Sequence, residues 1–270
     1  MKIDDVLQRA TAHTRLDIEV LLAHVLKVSR AYLIAFSDRE LTSDETSELE
    51  KILQRYEEGV PVAYLTGHRE FWSLDFVVTP ATLIPRPETE LLVELALKEI
   101  HGKNKLIADL GTGSGAIALA IAKERPTWKI HATDVSADAL KVAELNAKRF
   151  NLKNVFFHDG KWCAALPAEK FDLIISNPPY IAKDDPHLQP NVLRFEPQSA
   201  LIADENGLKD IREIIAEAKK YLAVGGYLML EHGFQQGNAV RALFTAESYQ
   251  SVMTFQDLAG LDRVTLAQFN

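Results

Sequence analysis

Asn177, Pro178, Pro179 and Tyr180 stand together at a point where the sequence could do chemistry. They directly follow residues 171–176, an apolar run that predicts a buried strand. The asparagine side chain offers a carbonyl oxygen and an amide, and the tyrosine offers a flat ring. The two prolines lack backbone N–H donors and fix φ, so the turn is stiff and its carbonyl oxygens stay free to accept. Such a tetrad can hold a planar NH2 group while its nitrogen is methylated, although Asn-Pro and Pro-Pro also occur in ordinary turns after strands.

A second candidate site lies upstream, in a strand–loop–helix unit typical of nucleotide-binding folds. Residues 106–110 predict a short buried strand and residues 116–123 predict a helix. The loop between them consists of small residues: Gly111, Thr112, Gly113, Ser114 and Gly115. Its glycines allow a tight turn and the close approach of a ligand. Asp134 ends the next predicted strand, 19 residues past Gly115, which is about the spacing of a carboxylate that accepts both ribose hydroxyls.

The glycine loop alone does not identify the cofactor, because Gly111, Gly113 and Ala116 also satisfy the loose dinucleotide fingerprint. Asp109 favours S-adenosylmethionine over NAD, since a carboxylate before the loop would repel a pyrophosphate but could accept from the ammonium of a methionine moiety. The alternative role for Asp109 is to brace the loop or cap the helix. A hydride-transfer site also has no need of the tetrad that starts at Asn177. We expect the two motifs to meet, because the strands that they follow are neighbours in a doubly wound sheet.

The composition is that of an ordinary globular protein of one or two domains, with 270 residues, 47% hydrophobic and 25% charged. No apolar run approaches the roughly 20 residues of a membrane span. Acidic residues near the N-terminus argue against a signal peptide. A single cysteine, Cys163, excludes an internal disulfide and fits a reducing cytoplasm. The eight histidines are scattered, so we expect no metal site.

The charge of the chain limits its partners. A net charge of −8 argues against a large nucleic-acid interface, which requires a basic face. Residues 1–60 contain 8 Lys or Arg against 12 Asp or Glu, so this part is itself acidic. We therefore expect neither nucleic acid nor membrane as a partner, and we expect a monomer.

The sequence divides into three parts. Residues 1–60 have apolar positions at helical spacing and predict a small helical bundle, in which Thr42 or Ser43 caps one helix. Residues 61–86 predict a β-hairpin linker that includes an extended segment at residues 62–64. The third part, residues 87–270, alternates strands and helices.

This alternation predicts an α/β fold with a mostly parallel sheet that is covered on both faces by helices. The expected strands lie near 105–110, 129–134, 154–158, 171–176 and 225–231. The expected helices lie near 88–101, 115–124, 136–150 and 207–222. Two further strands, near 249–255 and 263–269, are joined by a connection too short for a crossover helix, so we expect them to form an antiparallel hairpin at the end of a seven-stranded sheet.

Several segments together resemble the protein-(glutamine-N5) methyltransferases that modify peptide chain release factors, the PrmC/HemK family. The glycine loop and the tetrad are shared by many methyltransferases, and residues 83–90, Leu-Ile-Pro-Arg-Pro-Glu-Thr-Glu, narrow the resemblance to this family. It also rests on residues 64–71, 194–197, 231–233 and 260–263. The resemblance spans nearly the whole chain. It implies a Rossmann-like class I S-adenosylmethionine-dependent methyltransferase domain preceded by a small helical bundle.

The resemblance implies a reaction and a set of residue roles. The methyl group of S-adenosylmethionine goes to the side-chain amide of the glutamine in the Gly-Gly-Gln loop of class I release factors, and S-adenosylhomocysteine is the product. The glycine loop contacts the methionine part of the cofactor, Asp134 takes the ribose, and Trp162, whose alternative role is a core aromatic, flanks the adenine. Asn177 contacts both cofactor and glutamine, and the tetrad as a whole holds the glutamine, with Asn177 and Pro178 accepting from its NH2 group. Apart from the resemblance, we expect the acidic bundle at residues 1–60 to dock the protein substrate, because the catalytic domain needs no separate domain for its chemistry.

Two alternatives remain. A nucleic-acid amino methyltransferase acting on adenine N6 or guanine N2 would use the same tetrad, since a flipped base also presents a planar NH2 group. The acidic charge and the lack of a basic target-recognition domain argue against it. A cofactor-binding regulatory protein without turnover would not need the tetrad. The sequence leaves open whether Glu88, Glu90 and Glu196 contact the substrate or brace the tetrad.

Overall fold

The computed structural model describes residues 1–9, 11, 14–185 and 194–270. The chain forms two compact units, Met1–His68 and Arg69–Asn270. In the part of the chain that is described, no helix combines the length and the apolar character that a membrane crossing requires.

The first unit is helical. Its helices are α1 (Ile3–Gln8), α2 (Arg15–Leu26), α3 (Arg30–Ala35), α4 (Ser43–Glu57) and α5 (Val62–Thr66). Apolar side chains from α1 to α4 form its core, in which Ile3, Leu22, Leu33 and Leu49 are fully buried. The prediction of a helical N-terminal region is confirmed.

Local chemistry explains where two of these helices begin and end. Thr42 caps α4, because its Oγ1 accepts from the backbone N–H of Glu45 at 3.2 Å while the Glu45 carboxylate accepts from the Thr42 N–H at 2.9 Å. The expectation of an extended segment at residues 62–64 is wrong, since α5 occupies it. Pro61 stands directly before α5 with φ −57°, and Gly67 ends the helix in the left-handed conformation with φ 75°. These start and stop signals outweigh the β-type side chains between them.

A β-hairpin follows α5 in the sequence. Its strands, β1 (His68–Phe71) and β2 (Leu74–Val77), pair as a two-stranded sheet. Trp72 and Ser73 connect them with φ values of 52° and 56°. Two consecutive left-handed residues match the twist of paired strands. A hairpin therefore lies within the segment 61–86, although it is shorter than that segment.

The second unit is built on one large sheet. Its strands are β3 (Leu106–Leu110), β4 (Lys129–Asp134), β5 (Val155–Asp159), β6 (Phe171–Ser176), β7 (Leu222–Glu231), β8 (Gln250–Gln256) and β9 (Asp262–Gln268). They lie in the order β5-β4-β3-β6-β7-β9-β8. β3 to β7 are parallel, and β9 is antiparallel to both β7 and β8. The predicted Rossmann-like fold, with seven strands and a terminal antiparallel hairpin, is confirmed.

Among the described residues, five helices lie before, between and after the parallel strands. They are α6 (Glu90–Glu99), α7 (Ala116–Glu124), α8 (Ala137–Arg149), α9 (Lys209–Ala218) and α10 (Gly237–Ala246). Shorter helical segments are the 3₁₀ helices Pro87–Thr89, Trp162–Ala165 and Gln198–Ala200 and the single turn Asp204–Gly207. The sequence reasoning missed α10, which begins at a glycine and lies between two segments read as strands. The buried pair Val240 and Phe244, four residues apart, is the signal that was available.

Candidate active site

The glycine loop leaves β3 and turns sharply into α7. Gly111, Gly113 and Gly115 have φ values of 71°, 56° and 86°, which residues with a side chain rarely adopt. The backbone N–H groups of Gly111 and Thr112 both donate to the carbonyl oxygen of Thr133, at 2.8 and 2.9 Å. The loop is thus tied to β4 at the carboxyl ends of the parallel strands, where ligands bind in such sheets.

Asp109 lies beneath this loop and is fully buried. Its Oδ2 accepts from Thr112 Oγ1 at 2.7 Å and from the backbone N–H of Ala118 at 3.2 Å. Burial raises the pKa of Asp109 to about 7. Its Oδ1 is buried and has no hydrogen-bond partner among the described residues. These contacts favour the loop-bracing alternative for Asp109, and its role toward a methionine ammonium stays a prediction.

Asp134 ends β4 beside the loop. Its Oδ2 accepts from the backbone N–H of Gly113 and its Oδ1 from that of Ser136, both at 2.9 Å. Burial raises the pKa of Asp134, while these backbone N–H groups lower it. Each carboxylate oxygen can accept more than one hydrogen bond, so both remain able to accept from the diol of a ligand.

Trp162 follows β5 and begins a 3₁₀ helix with φ 45°. Its ring lies directly against the glycine loop, since a Cβ built on Gly111 would lie 2.9 Å from the ring atom Cζ3. Another part of the side chain packs against the core of the second unit. Asp210 of α9 lies nearby: burial raises the pKa of its carboxyl, while Lys161 and the indole of Trp162 lower it. Trp162 therefore belongs both to the core and to the wall of the site.

Asn177 follows β6, whose end is held to β3 because Ser176 Oγ donates to the carbonyl oxygen of Leu110 at 2.6 Å. The Asn177 side-chain nitrogen Nδ2 donates to Thr89 Oγ1 at 3.1 Å. This contact occupies the NH2 end of the Asn177 amide. The carbonyl oxygen of the Asn177 side chain remains able to accept from another donor.

Tyr180 has a different environment from the one that its flat ring suggested. Its hydroxyl donates to Glu231 Oε1 at 3.1 Å, its carbonyl oxygen accepts from Gln236 Nε2 at 3.0 Å, and its ring packs against the core of the second unit. Burial raises the pKa of Glu231 to about 7, while the Thr89 hydroxyl and the Arg263 guanidinium lower it. These contacts of Tyr180 hold the turn in place. The stacking of its ring on a substrate amide stays a prediction.

A cavity of about 310 Å³ lies in the second unit, and several of these groups line it. The predicted site residues that line it are Gly111, Gly113, Asp134, Trp162, Asn177 and Pro179. The predicted residues that are not among its lining residues are Asp109, Thr112, Ser114, Gly115, Pro178 and Tyr180. Ala81, Thr82 and Leu83, before α6, and Pro197, Ser199 and Ala200, after the tetrad, also line it. The structure therefore brings the glycine loop, Asp134, Trp162 and the start of the tetrad to one space.

Two of the three acids that the sequence left open have bracing contacts. Glu196 is buried, and its two oxygens accept from the backbone N–H of Ile84 at 3.0 Å and from Arg86 Nη2 at 2.5 Å. Glu90 Oε1 accepts from a backbone N–H of the β1–β2 turn at 2.8 Å. Glu88 is exposed. Glu196 and Glu90 therefore hold the chain on either side of the segment that contains Thr89.

Sequence reasoning missed three residues that support the site. Thr89 and Glu231 were noticed only within longer motifs, although they contact Asn177 and Tyr180. Asn146 of α8 is fully buried, and its side chain bonds both the N–H and the carbonyl of Val77, at 2.8 and 3.0 Å, and the carbonyl of Ser114 at 2.9 Å. The available signal was a polar residue on the apolar face of an amphipathic helix.

The fold and this cavity define a class of protein, the Rossmann-like S-adenosylmethionine-dependent methyltransferases. Residues 87–194 match the family model of the methyltransferase small domain, and residues 2–67 match that of the PrmC N-terminal domain. A solved methyltransferase from Pyrococcus furiosus shares the fold with a TM-score of 0.55 and 21% sequence identity, covering 83% of this chain and 98% of that chain.

The sequence comparisons narrow the class to one family. The chain is 50% identical over 255 residues to the release factor glutamine methyltransferase of Salmonella typhimurium, covering 94% of this chain and 92% of that protein. It is 51% identical over 255 residues to the release factor glutamine methyltransferase of Coxiella burnetii, covering 94% and 91% of the two chains. This chain belongs to the release factor glutamine methyltransferase family.

Proposed function

We propose that this chain methylates the side-chain amide nitrogen, N5, of the glutamine in the Gly-Gly-Gln loop of class I peptide chain release factors. S-adenosylmethionine is the methyl donor and S-adenosylhomocysteine the product. The observation that carries the proposal is the contact of Asn177 with Thr89, which leaves the Asn177 carbonyl oxygen to accept from a substrate NH2 group beside the glycine loop. The names of the relatives support the same substrate.

The donor set of the cavity suits the cofactor. Asp134 offers two oxygens to a ribose diol, Trp162 offers a flat ring to adenine, and Gly111 and Gly113 leave a bare backbone for close approach. The methionine part would lie along the glycine loop, with Asn177 at the end where the methyl group is presented.

An amide nitrogen is a poor nucleophile, because its lone pair is delocalised into the carbonyl group. The Asn177 side-chain oxygen and the Pro178 backbone carbonyl would accept from its two N–H groups and turn the lone pair toward the methyl group, in line with the departing sulfur. When bound, the cofactor supplies that methyl group on an electrophilic sulfonium. Orientation of this kind can contribute about 7–11 kcal/mol, and one placed hydrogen-bonding group roughly 3–4 kcal/mol. No strong base is needed first, since the product nitrogen sheds its proton to water once it carries positive charge.

We also propose that the helical first unit docks the protein substrate, and that the enzyme acts as a monomer in the cytoplasm. The docking proposal is supported by the compactness of Met1–His68 and by apolar side chains that this unit leaves exposed, with Ile34 73% and Phe36 54% accessible. The single cysteine, Cys163, has no second cysteine for an internal disulfide, which fits a reducing compartment. The substitution Ile34→Glu should impair methylation of a whole release factor and spare that of a short glutamine peptide. Equal rates on the whole factor for wild type and variant would argue against docking through this surface.

The test of the proposed activity offers labelled S-adenosylmethionine to the purified enzyme with a class I release factor, its Gln→Ala loop variant, DNA and RNA. Label on the wild-type factor alone supports glutamine methylation. Label on nucleic acid, with none on the factor, would instead identify an amino methyltransferase of bases, and binding of the cofactor without transfer to any substrate would identify a regulatory protein.

A further inference from the structure

The two ends of the Asn177 side chain have nearly the same shape but opposite chemistry. Only the carbonyl end can accept from the NH2 group of a substrate. With the ends exchanged, two NH2 groups would face each other and the acceptor would be lost. Something in the site must therefore select one orientation of this amide.

Thr89 is the residue that contacts the other end of the amide. Its Oγ1 accepts from Asn177 Nδ2 at 3.1 Å, and its side chain is buried. A hydroxyl has one proton and two lone pairs, so it can serve either end of an asparagine. Thr89 accepts reliably from Asn177 only if its own proton is used elsewhere.

Glu231 is the group that can take this proton. Its Oε1 already accepts from the Tyr180 hydroxyl at 3.1 Å. Its Oε2 is buried without a partner at hydrogen-bonding distance among the described residues, yet the Thr89 hydroxyl lies close enough to lower the pKa of this carboxyl. When Glu231 is ionised its carboxylate only accepts, so a Thr89 hydroxyl that turns toward it can only donate. The lone pairs of Thr89 then face Asn177.

We propose that Thr89 is a positioning residue that holds the Asn177 side chain with its carbonyl oxygen toward the substrate amide. This inference rests on the proposed function, because it assumes an NH2 group as the methyl acceptor. The hydrogen bonds that carry the inference are those of Asn177 with Thr89 and of Tyr180 with Glu231.

Two substitutions at Thr89 separate its hydroxyl from its methyl group. Thr89→Val keeps the shape and removes the hydroxyl, whereas Thr89→Ser keeps the hydroxyl and removes the methyl group. Losing one hydrogen bond that favours one orientation is worth up to about tenfold in population. We therefore expect kcat on release factor to fall about tenfold in Thr89→Val and less than twofold in Thr89→Ser, with the affinity for S-adenosylhomocysteine unchanged in both.

The control is Thr265→Val. Thr265 is equally buried, and its hydroxyl bonds His232 Nε2 and Thr254 Oγ1, both at 2.8 Å, without lining the cavity. Its kcat should match wild type. A loss in Thr89→Ser with none in Thr89→Val would show a packing role and overturn the inference, as would equal losses in Thr89→Val and Thr265→Val.

A second measurement reads the orientation without substrate. In protein labelled with ¹⁵N-asparagine, the Asn177 NH2 signal, assigned by its loss in Asn177→Ala, should show a slowly exchanging proton in wild type and Thr89→Ser and a fast one in Thr89→Val. Identical exchange in all three proteins overturns the inference, even where release factor is methylated. A wild-type enzyme that shows the slow proton but does not methylate release factor refutes the proposed function and leaves the orientation by Thr89 standing.

Discussion

The contact between Gly111 and Trp162 makes a prediction that can be worked out from the structure. The substitution Gly111→Ala adds a Cβ that would lie 2.9 Å from Trp162 Cζ3 and 3.5 Å from Cη2. Gly111 also has φ 71°, in the left-handed region. The added methyl group therefore meets both a strained backbone and an aromatic ring that lines the cavity.

The two costs can be estimated separately. The left-handed backbone of an alanine costs about 1–2 kcal/mol. Overpacking against the ring costs a further 1–3 kcal/mol, about what an extra methyl group costs in a packed site, unless the ring moves. If the ring moves, the enzyme loses part of the surface that we propose for stacking on adenine, and aromatic stacking on a base is worth about 1–3 kcal/mol. We expect Gly111→Ala to lower the free energy of unfolding by about 2–5 kcal/mol and to weaken cofactor binding about tenfold.

Gly260→Ala is the matched control. Gly260 has φ 76°, but a Cβ there meets no atom within 4 Å, and the residue does not line the cavity. This variant should show only the backbone cost of about 1–2 kcal/mol and normal cofactor affinity. Urea denaturation followed by circular dichroism measures the first quantity, and calorimetric titration with S-adenosylhomocysteine measures the second. If the two variants lose the same stability and both bind the cofactor as wild type does, Trp162 does not stand against Gly111 as described.

Three further predictions concern single side chains. Asn177→Ala should lower turnover on the order of 100-fold with cofactor affinity kept, because it removes a placed hydrogen-bond acceptor. Turnover within a few-fold of wild type would exclude Asn177 as the acceptor for the substrate NH2 group. Asp134→Ala should weaken cofactor binding about tenfold or more, since it removes a charged hydrogen-bond acceptor. An unchanged cofactor affinity, measured by calorimetry, would show that Asp134 does not bind the ribose. Burial raises the pKa of Glu231 from 4.5 to about 7, so the folded protein binds this proton more tightly than the unfolded chain. The carboxyl therefore destabilises the fold increasingly as pH rises from about 4.5 to 7, and the stability of Glu231→Gln relative to wild type should rise over this range by up to roughly 3 kcal/mol. A difference in melting temperature that stays constant with pH would mean that Glu231 is not buried as a titrating acid.

The parts of the fold that follow from local pattern could be predicted from the sequence. Strands of the large sheet are short apolar runs, and the glycine loop and the tetrad follow two of them directly, so the meeting of these motifs at β3 and β6 was foreseeable. α5 was misread because Val62 and Tyr64 favour strands, whereas Pro61 and Gly67 fix the backbone as a helix. In this five-residue segment, the strand preference of the side chains is weaker than the effect of Pro61 and Gly67 on the backbone.

The contacts that set the chemistry of the site could not be predicted, because they join residues far apart in the chain. Thr89 and Asn177 are separated by 88 residues, and Asn146 and Val77 by 69. No periodicity links such pairs, since each depends on how loops at the end of the sheet fold back over it. The roles of Glu88, Glu90 and Glu196 could not be predicted for the same reason. The bracing contacts of Glu196 and Glu90 are visible only in the interatomic distances of the structure.

Residues 83–90 narrowed the resemblance to one family. In the structure, Thr89 of this same segment contacts Asn177. The tetrad and the glycine loop serve any acceptor with a planar NH2 group, so by themselves they do not distinguish a glutamine amide from a base. Residues 83–90 supply Leu83 to the cavity wall and Thr89 to Asn177, and Glu196 ties this segment to the chain that follows the tetrad. We therefore expect the choice of substrate to depend on segments outside the shared methyl-transfer motifs. Substitutions in the tetrad should change mainly the rate of transfer, whereas substitutions at Leu83 or at the Arg86–Glu196 ion pair should change mainly which acceptor is methylated.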